Sequence, residues 1–301
     1  MKQDRPSATA SLVLKALLFA AHDPIHGGLV PPETVRWSES IAISIIKFPK
    51  LFLFAIRNRL SRWLLTTLEE TLNPGFILHV AARKRFIDKI SRQSIRSGSS
   101  QIIQIIVIGA GYDTIGLSAA ISNPAANCFE IDHATTQKTK ITSFASSEIP
   151  PNLFFIPADL SATSIGEVLT AHPKFDSMAS TLIVIEGVLM YLPDQAVRRF
   201  FEAAYDLFRG GLTCIFTFMD RRSNGDIQFK TAHPLIKSWL RFKHEQFLSG
   251  FEKDQLAGYL ATLGFSHTDT YGKSEFISAF FPKVDPAPLL AEGEFIGVTS
   301  K

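Results

Sequence analysis

Two glycines and a nearby acid are the positions of this sequence whose types and spacing could do chemistry. Gly109 and Gly111 directly follow a β-branched run, so the backbone can turn there and present N–H groups and a helix N-terminus to a ligand. Asp132 ends the next β-rich run, about twenty residues further on. A carboxylate at that point can accept both hydroxyls of a ribose. These residues predict a nucleotide-type binding site.

The glycine turn does not by itself say which nucleotide is bound. The dinucleotide fingerprint G-x-G-x-x-G has a third glycine for close helix–strand packing, and Thr114 occupies that position here. An NAD site remains open at this point, without its most specific residue. A tight turn with no ligand also remains open.

Strand and helix patterns alternate after residue 100, which is typical of a doubly wound α/β domain. The β-branched run before the glycine turn is typical of a strand that is buried on both faces of a sheet. After the third predicted strand, Ser161 is placed to cap the next helix. The predicted strands are 102–108, 128–132, 153–157, 181–185, 212–218, 266–271 and 294–300. The predicted helices in this part are 115–122, 194–208 and 253–263.

Acidic residues finish three of the first four predicted strands. Asp132, Asp159 and Glu186 would meet beyond the carboxyl edge of the sheet. Such a cluster would repel a pyrophosphate and attract a cationic adenosine ligand, which favours S-adenosylmethionine. We expect Asp132 on its ribose, Asp159 at the adenine amino group, and Glu186 near the sulfonium and ammonium.

Arg83 interrupts an apolar helical stripe formed by Phe76, Val80, Ile87 and Ile90. A charge on an inward face is costly unless it is paired, so Arg83 needs an anion, either a protein acid or a ligand carboxylate. With S-adenosylmethionine bound, it would take the cofactor's carboxylate. We expect the neighbours Lys84 and Arg85 to point elsewhere.

The first 95 residues read as helical and predict an N-terminal cap or lid, with the α/β domain over 96–301. Residues 92–100 are polar and form the predicted linker, and 221–250 the predicted insertion. A helix is predicted over 8–21. Residues 10–75 and 221–250, which would shape an acceptor site, contain no readable motif.

Residues 41–65 are strongly apolar, broken by Pro49, and carry five Lys or Arg with no acid. They are too charged for a membrane span. One interpretation is a lid or a membrane-surface helix; the other, which we favour, is a helix packed on the domain with a basic solvent face. The helically spaced positions are Leu53, Ile56, Leu60, Trp63 and Thr67.

Composition excludes several classes of function. The net charge of +3 is too mild to indicate nucleic-acid binding, and the eight histidines lack metal-ligand spacing. Cys128 and Cys214 are predicted to be free thiols in a reducing compartment. Without a signal-peptide pattern at the start of the sequence, a cytoplasmic protein is expected.

Several ordered motifs together resemble the leucine carboxyl methyltransferase family. The motifs are Ser7-Ala8-Thr9-Ala10, Ala81-Ala82-Arg83, Gly109-Ala110-Gly111-Tyr112-Asp113-Thr114, Phe129-Glu130-Ile131-Asp132-His133, Ala158-Asp159-Leu160, and Glu186-Gly187 through Leu192. The resemblance implies a class I methyltransferase sheet of seven strands with the last antiparallel, and a helical cap. It implies a cofactor site formed by Arg83, Gly109, Ala110, Gly111, Asp113, Asp132, His133, Asp159, Leu160, Glu186 and Gly187.

The sequence departs from the family pattern at three positions. Ile115 and Ser118 stand where members usually carry arginine, and Ala134 where they carry proline. If those arginines brace the site, Asp113 or a nearby acid has lost its partner.

The favoured hypothesis is an S-adenosylmethionine-dependent O-methyltransferase acting on a carboxylate or hydroxyl of a small molecule. Catalysis would be chiefly positional, with Tyr191 and His133 as pocket-wall residues and no residue standing out as a base. A non-catalytic, degenerate member is one alternative, and an NAD-dependent oxidoreductase is another. The oligomeric state is not readable from the sequence.

Overall fold

The fold is built on a mixed sheet in a computed structural model that describes residues 7–97, 102–145, 148–160 and 163–301. Seven strands form this sheet among the described residues. They are β1 (Gln104–Ile108), β2 (Asn127–Asp132), β3 (Leu153–Pro157), β4 (Thr181–Ile185), β5 (Leu212–Met219), β6 (His267–Tyr271) and β7 (Glu294–Ser300).

The spatial order of the strands is β3-β2-β1-β4-β5-β7-β6. The first five strands are parallel, and β7 runs antiparallel to both β5 and β6. This confirms the predicted doubly wound sheet with an antiparallel last strand. The order reverses between β1 and β4, so their carboxyl ends border the crevice where such sheets bind ligands.

Helices cover both faces of the sheet and precede it. In the N-terminal part they are α1 (Ala8–Ala21), α2 (Pro32–Ile45), α3 (Pro49–Arg57), α4 (Arg59–Leu72) and α5 (Phe76–Ser97). Within and after the sheet they are α6 (Ile115–Ser122), α7 (Ala134–Ile141), α8 (Ile165–Thr170), α9 (Asp194–Leu207), α10 (Pro234–Lys243), α11 (Leu256–Ala261) and α12 (Lys273–Phe280).

The central strands are buried on both faces because apolar side chains alternate between two cores. Ile106 and Ile108 of β1 pack into one core with helix α9, whereas Ile105 packs into the other with helix α5. Helix α5 places Phe86 and Ile87 in that second core, and α1 packs against α5 in turn. The sheet and α5 thereby fix the carboxyl ends of β1 and β4.

Helix α5 corrects the predicted linker over 92–100. The chain remains helical as far as Ser97, because Arg92 pairs with Asp88 one turn earlier and Ile95 packs against the second core. Residues 98–101 lie outside the described part. The division into a cap over 1–95 and an α/β domain over 96–301 stays a prediction.

The stretch 41–65 also differs from its prediction. Asn58 accepts the N–H groups of Leu60 and Ser61 at 3.0 and 3.2 Å and caps a new helix. The direction of the chain changes there, so the predicted stripe does not continue on one face. Ile56 is buried, whereas Leu60 and Trp63 are exposed. The favoured interpretation of a helix packed on the domain agrees with the burial of Ile56, but the solvent face is apolar as well as basic.

Three smaller predictions have mixed outcomes. Ser161 lies outside the described residues, and Ser164 caps helix α8 in a capping box with Glu167. Cys128 and Cys214 are buried free thiols, and burial raises the pKa of Cys128 to about 12. Among the described residues, no helix is long and apolar enough to cross a membrane.

Candidate active site

The glycine turn closes directly after β1. Gly109 and Gly111 adopt φ values of +63° and +48°, a region that L side chains rarely enter. A Cβ on Gly109 would lie 2.2 Å from Cγ2 of Val188. The turn is held by the N–H of Asp113, which donates to the carbonyl of Ala110 at 2.8 Å.

Asp132 joins the end of β2 to this turn. One carboxylate oxygen accepts the N–H of Gly111 and the other accepts the N–H of His133. Burial raises the pKa of Asp132 above its ordinary value, against the effect of these N–H groups and of Lys140. Each oxygen retains a lone pair, so the carboxylate can still accept hydroxyl groups.

Arg83 lies on α5 between two buried glutamates. Its Nη2 is 2.6 Å from Oε1 of Glu186, and its Nη1 is 2.5 Å from Oε2 of Glu294. Burial alone would lower the pKa of Arg83, but the two carboxylates more than offset this and raise it. Its Nε also donates to Oε1 of Glu186, at 3.0 Å. The alternative left open by the sequence is thus answered: Arg83 is paired with protein acids through three of its five N–H groups, and the other two have no partner among the described residues.

Glu294 begins β7 and is held by more than Arg83. Nε2 of His79 lies 3.1 Å from Oε2 of Glu294. Burial alone would raise the pKa of Glu294, but Arg83 and His79 lower it to about 2. Glu294 is therefore ionised throughout the neutral range.

Lys84 joins the same cluster, which corrects the prediction that it points elsewhere. Its Nζ contacts Oδ2 of Asp113 and lies 3.0 Å from Oε1 of Glu186. Residues 83 and 84 are consecutive on α5, so their side chains point about 100° apart around the helix. Both side chains are long enough to reach a crevice that faces the helix surface between these two directions. Leaving His79 aside, the cluster holds two cations and three carboxylates and carries one excess negative charge.

A second buried ion pair lies behind the turn. Nζ of Lys140 on α7 is 2.6 Å from Oε2 of Glu130 on β2, and both side chains are 1% exposed. Oε1 of Glu130 has no hydrogen-bond partner among the described residues. This oxygen lies 2.3 Å from the position that a Cβ atom on Gly116 would occupy. Gly116 is therefore the residue that makes room for this pair beneath the turn.

A cavity of about 1050 Å³ opens beside the turn. It is large enough for a cofactor together with a second molecule. Apolar side chains from the N-terminal helices, the segment after β4 and the insertion line much of its wall. Among them are Phe52, Leu65, Leu68, Leu72, Phe76, Met190, Met219, Phe229, Ile236, Trp239, Leu240 and Phe247.

Glu245 ties the insertion to the start of α1. Its carboxylate accepts the N–H groups of Ala8 and Thr9 at 2.8 and 2.7 Å, a favourable place for a negative charge because it lies at a helix N-terminus. Tyr191 lines the cavity beside this contact. Burial raises the pKa of Tyr191, so its hydroxyl stays protonated at neutral pH.

The structure brings all the sequence-predicted site residues to this one cavity. Its lining includes Arg83, Gly109, Ala110, Gly111, Asp113, Asp132, His133, Asp159, Leu160, Glu186, Gly187 and Tyr191. Sequence reasoning missed Lys84, Glu245 and Glu294. An acid at the start of the apolar last strand was the only signal for Glu294, and Glu245 had none.

Comparison with known proteins places the chain in a family. The model of the leucine carboxyl methyltransferase family matches residues 20–205, more than half of the sequence. The chain belongs to the leucine carboxyl methyltransferase family. This confirms the predicted family.

Two further comparisons agree with this family. A Mycolicibacterium vanbaalenii protein, provisionally named an S-adenosyl-L-methionine-dependent methyltransferase, is 26% identical over 132 residues. That match covers 44% of this chain and 42% of the relative, so the chain spans less than half the length of this curated relative. A solved structure of a provisionally assigned methyltransferase from Thermobifida fusca is 17% identical, with a TM-score of 0.54 over 81% of this chain and 90% of that one. It shows the fold.

Proposed function

We propose that this member of the family transfers a methyl group from S-adenosylmethionine to a carboxylate oxygen of a small, apolar acceptor. The observation that carries the proposal is the composition of the cavity. Its wall includes the glycine turn and the acidic strand ends as well as a broad apolar surface from α3, α4 and α10.

The charges of the site fit a cationic adenosine cofactor. The cluster around Arg83 has one more carboxylate than it has cations, and Asp132 adds another beside the turn. Asp132 would hold the ribose hydroxyls, Asp159 and Leu160 the adenine, and Glu186 the ammonium group. The two spare N–H groups of Arg83 would take the carboxylate of the cofactor.

The residues of the chain act by positioning the reactants. When bound, S-adenosylmethionine supplies a methyl group that an oxygen nucleophile takes by in-line displacement. The Gly109–Gly111 backbone and Asp132 hold one reactant, and the apolar wall holds the other and excludes water. Alignment of this kind can supply several kcal/mol of the barrier, on the order of 7–11 for well-oriented groups.

The hydrogen bonds of the cavity support a carboxylate acceptor over a hydroxyl, because a hydroxyl would require a general base. Every carboxylate on the described cavity wall already has a partner; these are Glu69, Asp113, Asp132, Asp159, Glu186, Glu245 and Glu294. Nδ1 of His133 accepts the N–H of Thr135 at 3.4 Å, which leaves its proton on Nε2. A carboxylate needs no base.

Arg241 provides a cation for such an acceptor. It lies on α10, lines the apolar part of the cavity and has no carboxylate partner among the described residues. We expect Arg241→Gln to raise the KM for the acceptor about tenfold, on the scale of one charge-assisted hydrogen bond, while leaving cofactor affinity unchanged. Lys243→Gln on the same helix, which is absent from the described lining, is the matched control and should change neither value.

Calorimetry of the purified protein tests the cofactor assignment. S-adenosylhomocysteine should bind in the micromolar range, Asp132→Asn should abolish this binding, and the exposed Asp254→Asn should not. Saturable binding of NAD without binding of S-adenosylhomocysteine would contradict the proposal. A screen of apolar carboxylic acids with a labelled methyl donor then tests turnover. Cofactor binding without any transfer would indicate a degenerate member.

A further inference from the structure

The α3–α4 face is an unusual surface, which we define by seven side chains that are each more than half exposed. They are Phe48, Leu51, Phe54, Leu60, Trp63, Leu64 and Leu68. Eight of the nineteen exposed large apolar side chains among the described residues lie within 48–68. Exposed apolar side chains concentrated in this way are typical of an interaction site.

Basic residues outnumber acidic ones around this face, although Glu69 and the exposed Glu70 directly follow Leu68. Residues 47–65 contain five Lys or Arg and no Asp or Glu. Arg57 and Arg62 pair with Glu39 and Asp23 of the neighbouring segment. The other three, Lys47, Lys50 and Arg59, are exposed and have no carboxylate partner in the described part of the chain.

The arrangement within the two helices is that of an interfacial segment. Nζ of Lys47 lies 5.4 Å from the ring centroid of Phe48, so the lysine can extend along an apolar surface and keep its charge in water. Trp63 lies on the outer side of α4, where an aromatic ring would meet lipid headgroups. Helices of 9 and 14 residues can lie in a membrane interface but are too short to span it.

We infer that the α3–α4 face docks on the surface of a bilayer that contains anionic lipid. The apolar side chains would enter the headgroup region and the three unpaired cations would meet lipid phosphates. A second copy of this chain fits less well, because a two-fold interface would bring the same unpaired cations together. The inference does not depend on the proposed methyl transfer, since six of the seven side chains of the face are absent from the cavity lining and only Leu68 borders both.

Vesicle sedimentation of the full chain tests the inference. The protein should pellet with phosphatidylcholine vesicles that contain phosphatidylglycerol and less with pure phosphatidylcholine. Binding should weaken when salt is raised from about 0.1 M to about 1 M. Failure to pellet with either vesicle would overturn the inference, whatever partner the face then has.

Matched variants distinguish binding through this face from nonspecific adsorption to the vesicles. Lys47→Gln/Lys50→Gln should weaken binding about 25-fold, or about fivefold per lysine, whereas Lys174→Gln/Lys283→Gln should leave it unchanged. Phe54→Ser/Trp63→Ser should remove most binding, whereas Ile121→Ser/Met178→Ser should not. Each variant must retain the far-UV and near-UV circular dichroism of the wild type. Equal losses in test and control pairs would overturn the inference.

The depth of Trp63 gives a readout independent of affinity. Brominated lipid should quench tryptophan emission in the wild type, and Trp63→Phe should remove the quenching while still pelleting. Quenching that persists in this variant would contradict the assigned face. Light scattering without lipid measures whether the protein forms a dimer. A dimer that Phe54→Ser/Trp63→Ser dissociates, with no vesicle binding by the wild type, would assign the face to a second copy instead.

Discussion

Lys84 of helix α5 contacts the carboxylate of Asp113, which directly follows the glycine turn. The same ammonium lies 3.0 Å from Glu186 at the end of β4, so one side chain links α5 to the ends of two neighbouring strands. Asp113 is therefore paired although Ile115 and Ser118 stand where related sequences carry arginine. Burial alone would raise the pKa of Asp113, but Lys84 more than offsets this and lowers it.

We expect Lys84→Met to destabilise the protein by about 3 kcal/mol, since it leaves two carboxylates less compensated in a largely buried site. Thermal unfolding at pH 7 measures this loss. Arg85→Met is the matched control, because Arg85 is 41% exposed and pairs with Asp88 one turn away. A loss in the control as large as that in Lys84→Met would contradict the bracing role of Lys84.

Glu294 should make stability depend on pH in the acid range. Its pKa is about 2 in the folded chain, against an ordinary value of 4.5. Since the folded pKa is the lower one, the stabilising contribution is fully present above pH 4.5 and is lost as the pH falls toward 2. Denaturant unfolding between these limits should show this decline.

The variant Glu294→Gln isolates that contribution. We expect a loss of roughly 3 kcal/mol at pH 7 and a shallower decline between pH 4.5 and 2 than in the wild type. Glu292→Gln is the matched control, because Glu292 is a partly exposed acid that pairs with Lys273 and Lys230. If the free energy of unfolding fell with pH in parallel for the wild type and Glu294→Gln, Glu294 would not be the cause of the decline at acid pH.

Local patterns were sufficient to predict the sheet. The β-branched runs around Ile106 and Ile183 are buried on both faces, and each ends in a glycine or an acid that cannot continue a buried strand. The apolar stripe of α5 placed Arg83 inward correctly. These features are encoded within a few residues of one another, which is why they can be read without the fold.

The partners of the charged residues could not be predicted in the same way. Glu294 lies 211 positions from Arg83, and Glu245 lies 237 positions from Ala8. Such pairs depend on which strand β7 joins and where the insertion folds back, and neither is set by local periodicity. Helix α4 likewise begins at the Asn58 cap. The predicted helical stripe ran through Asn58 and therefore did not include a new helix start there.

The buried pair of Lys140 and Glu130 should behave as a unit. Lys140→Met leaves an uncompensated carboxylate, since burial already raises the pKa of Glu130 against the effect of Lys140. We expect a loss of about 3–5 kcal/mol. Lys140→Met/Glu130→Gln should recover much of it because no buried charge remains. Unfolding free energies of the four chains in this double-mutant cycle measure the coupling.

A control on the same helix separates charge from packing. Lys138 is exposed, and Lys138→Met should change the free energy of unfolding by less than about 0.5 kcal/mol. If Lys140→Met and the double variant were equally destabilised, the loss would come from the packing of the lysine stem. In that case the ion pair would not stabilise the turn above it.

Gly109 tests whether the shape of the turn is required for binding. Gly109→Ala places a methyl group 2.2 Å from Cγ2 of Val188 and forces alanine to a φ of +63°. The left-handed backbone conformation alone costs an alanine roughly 1–2 kcal/mol. Calorimetry should therefore show that the affinity for S-adenosylhomocysteine is reduced at least tenfold. Gly28→Ala, where nothing lies within 4 Å, should bind as the wild type does.

The companion variant Gly109→Ala/Val188→Ala separates the two causes. It removes the steric contact but leaves the backbone term, so affinity should recover in part and stay below that of the wild type. Full recovery would mean that only the contact with Val188 matters. No recovery would mean that the positive φ alone sets the direction of the N–H groups that face the ligand. Unchanged affinity in Gly109→Ala itself would rule out this turn as the cofactor-binding element.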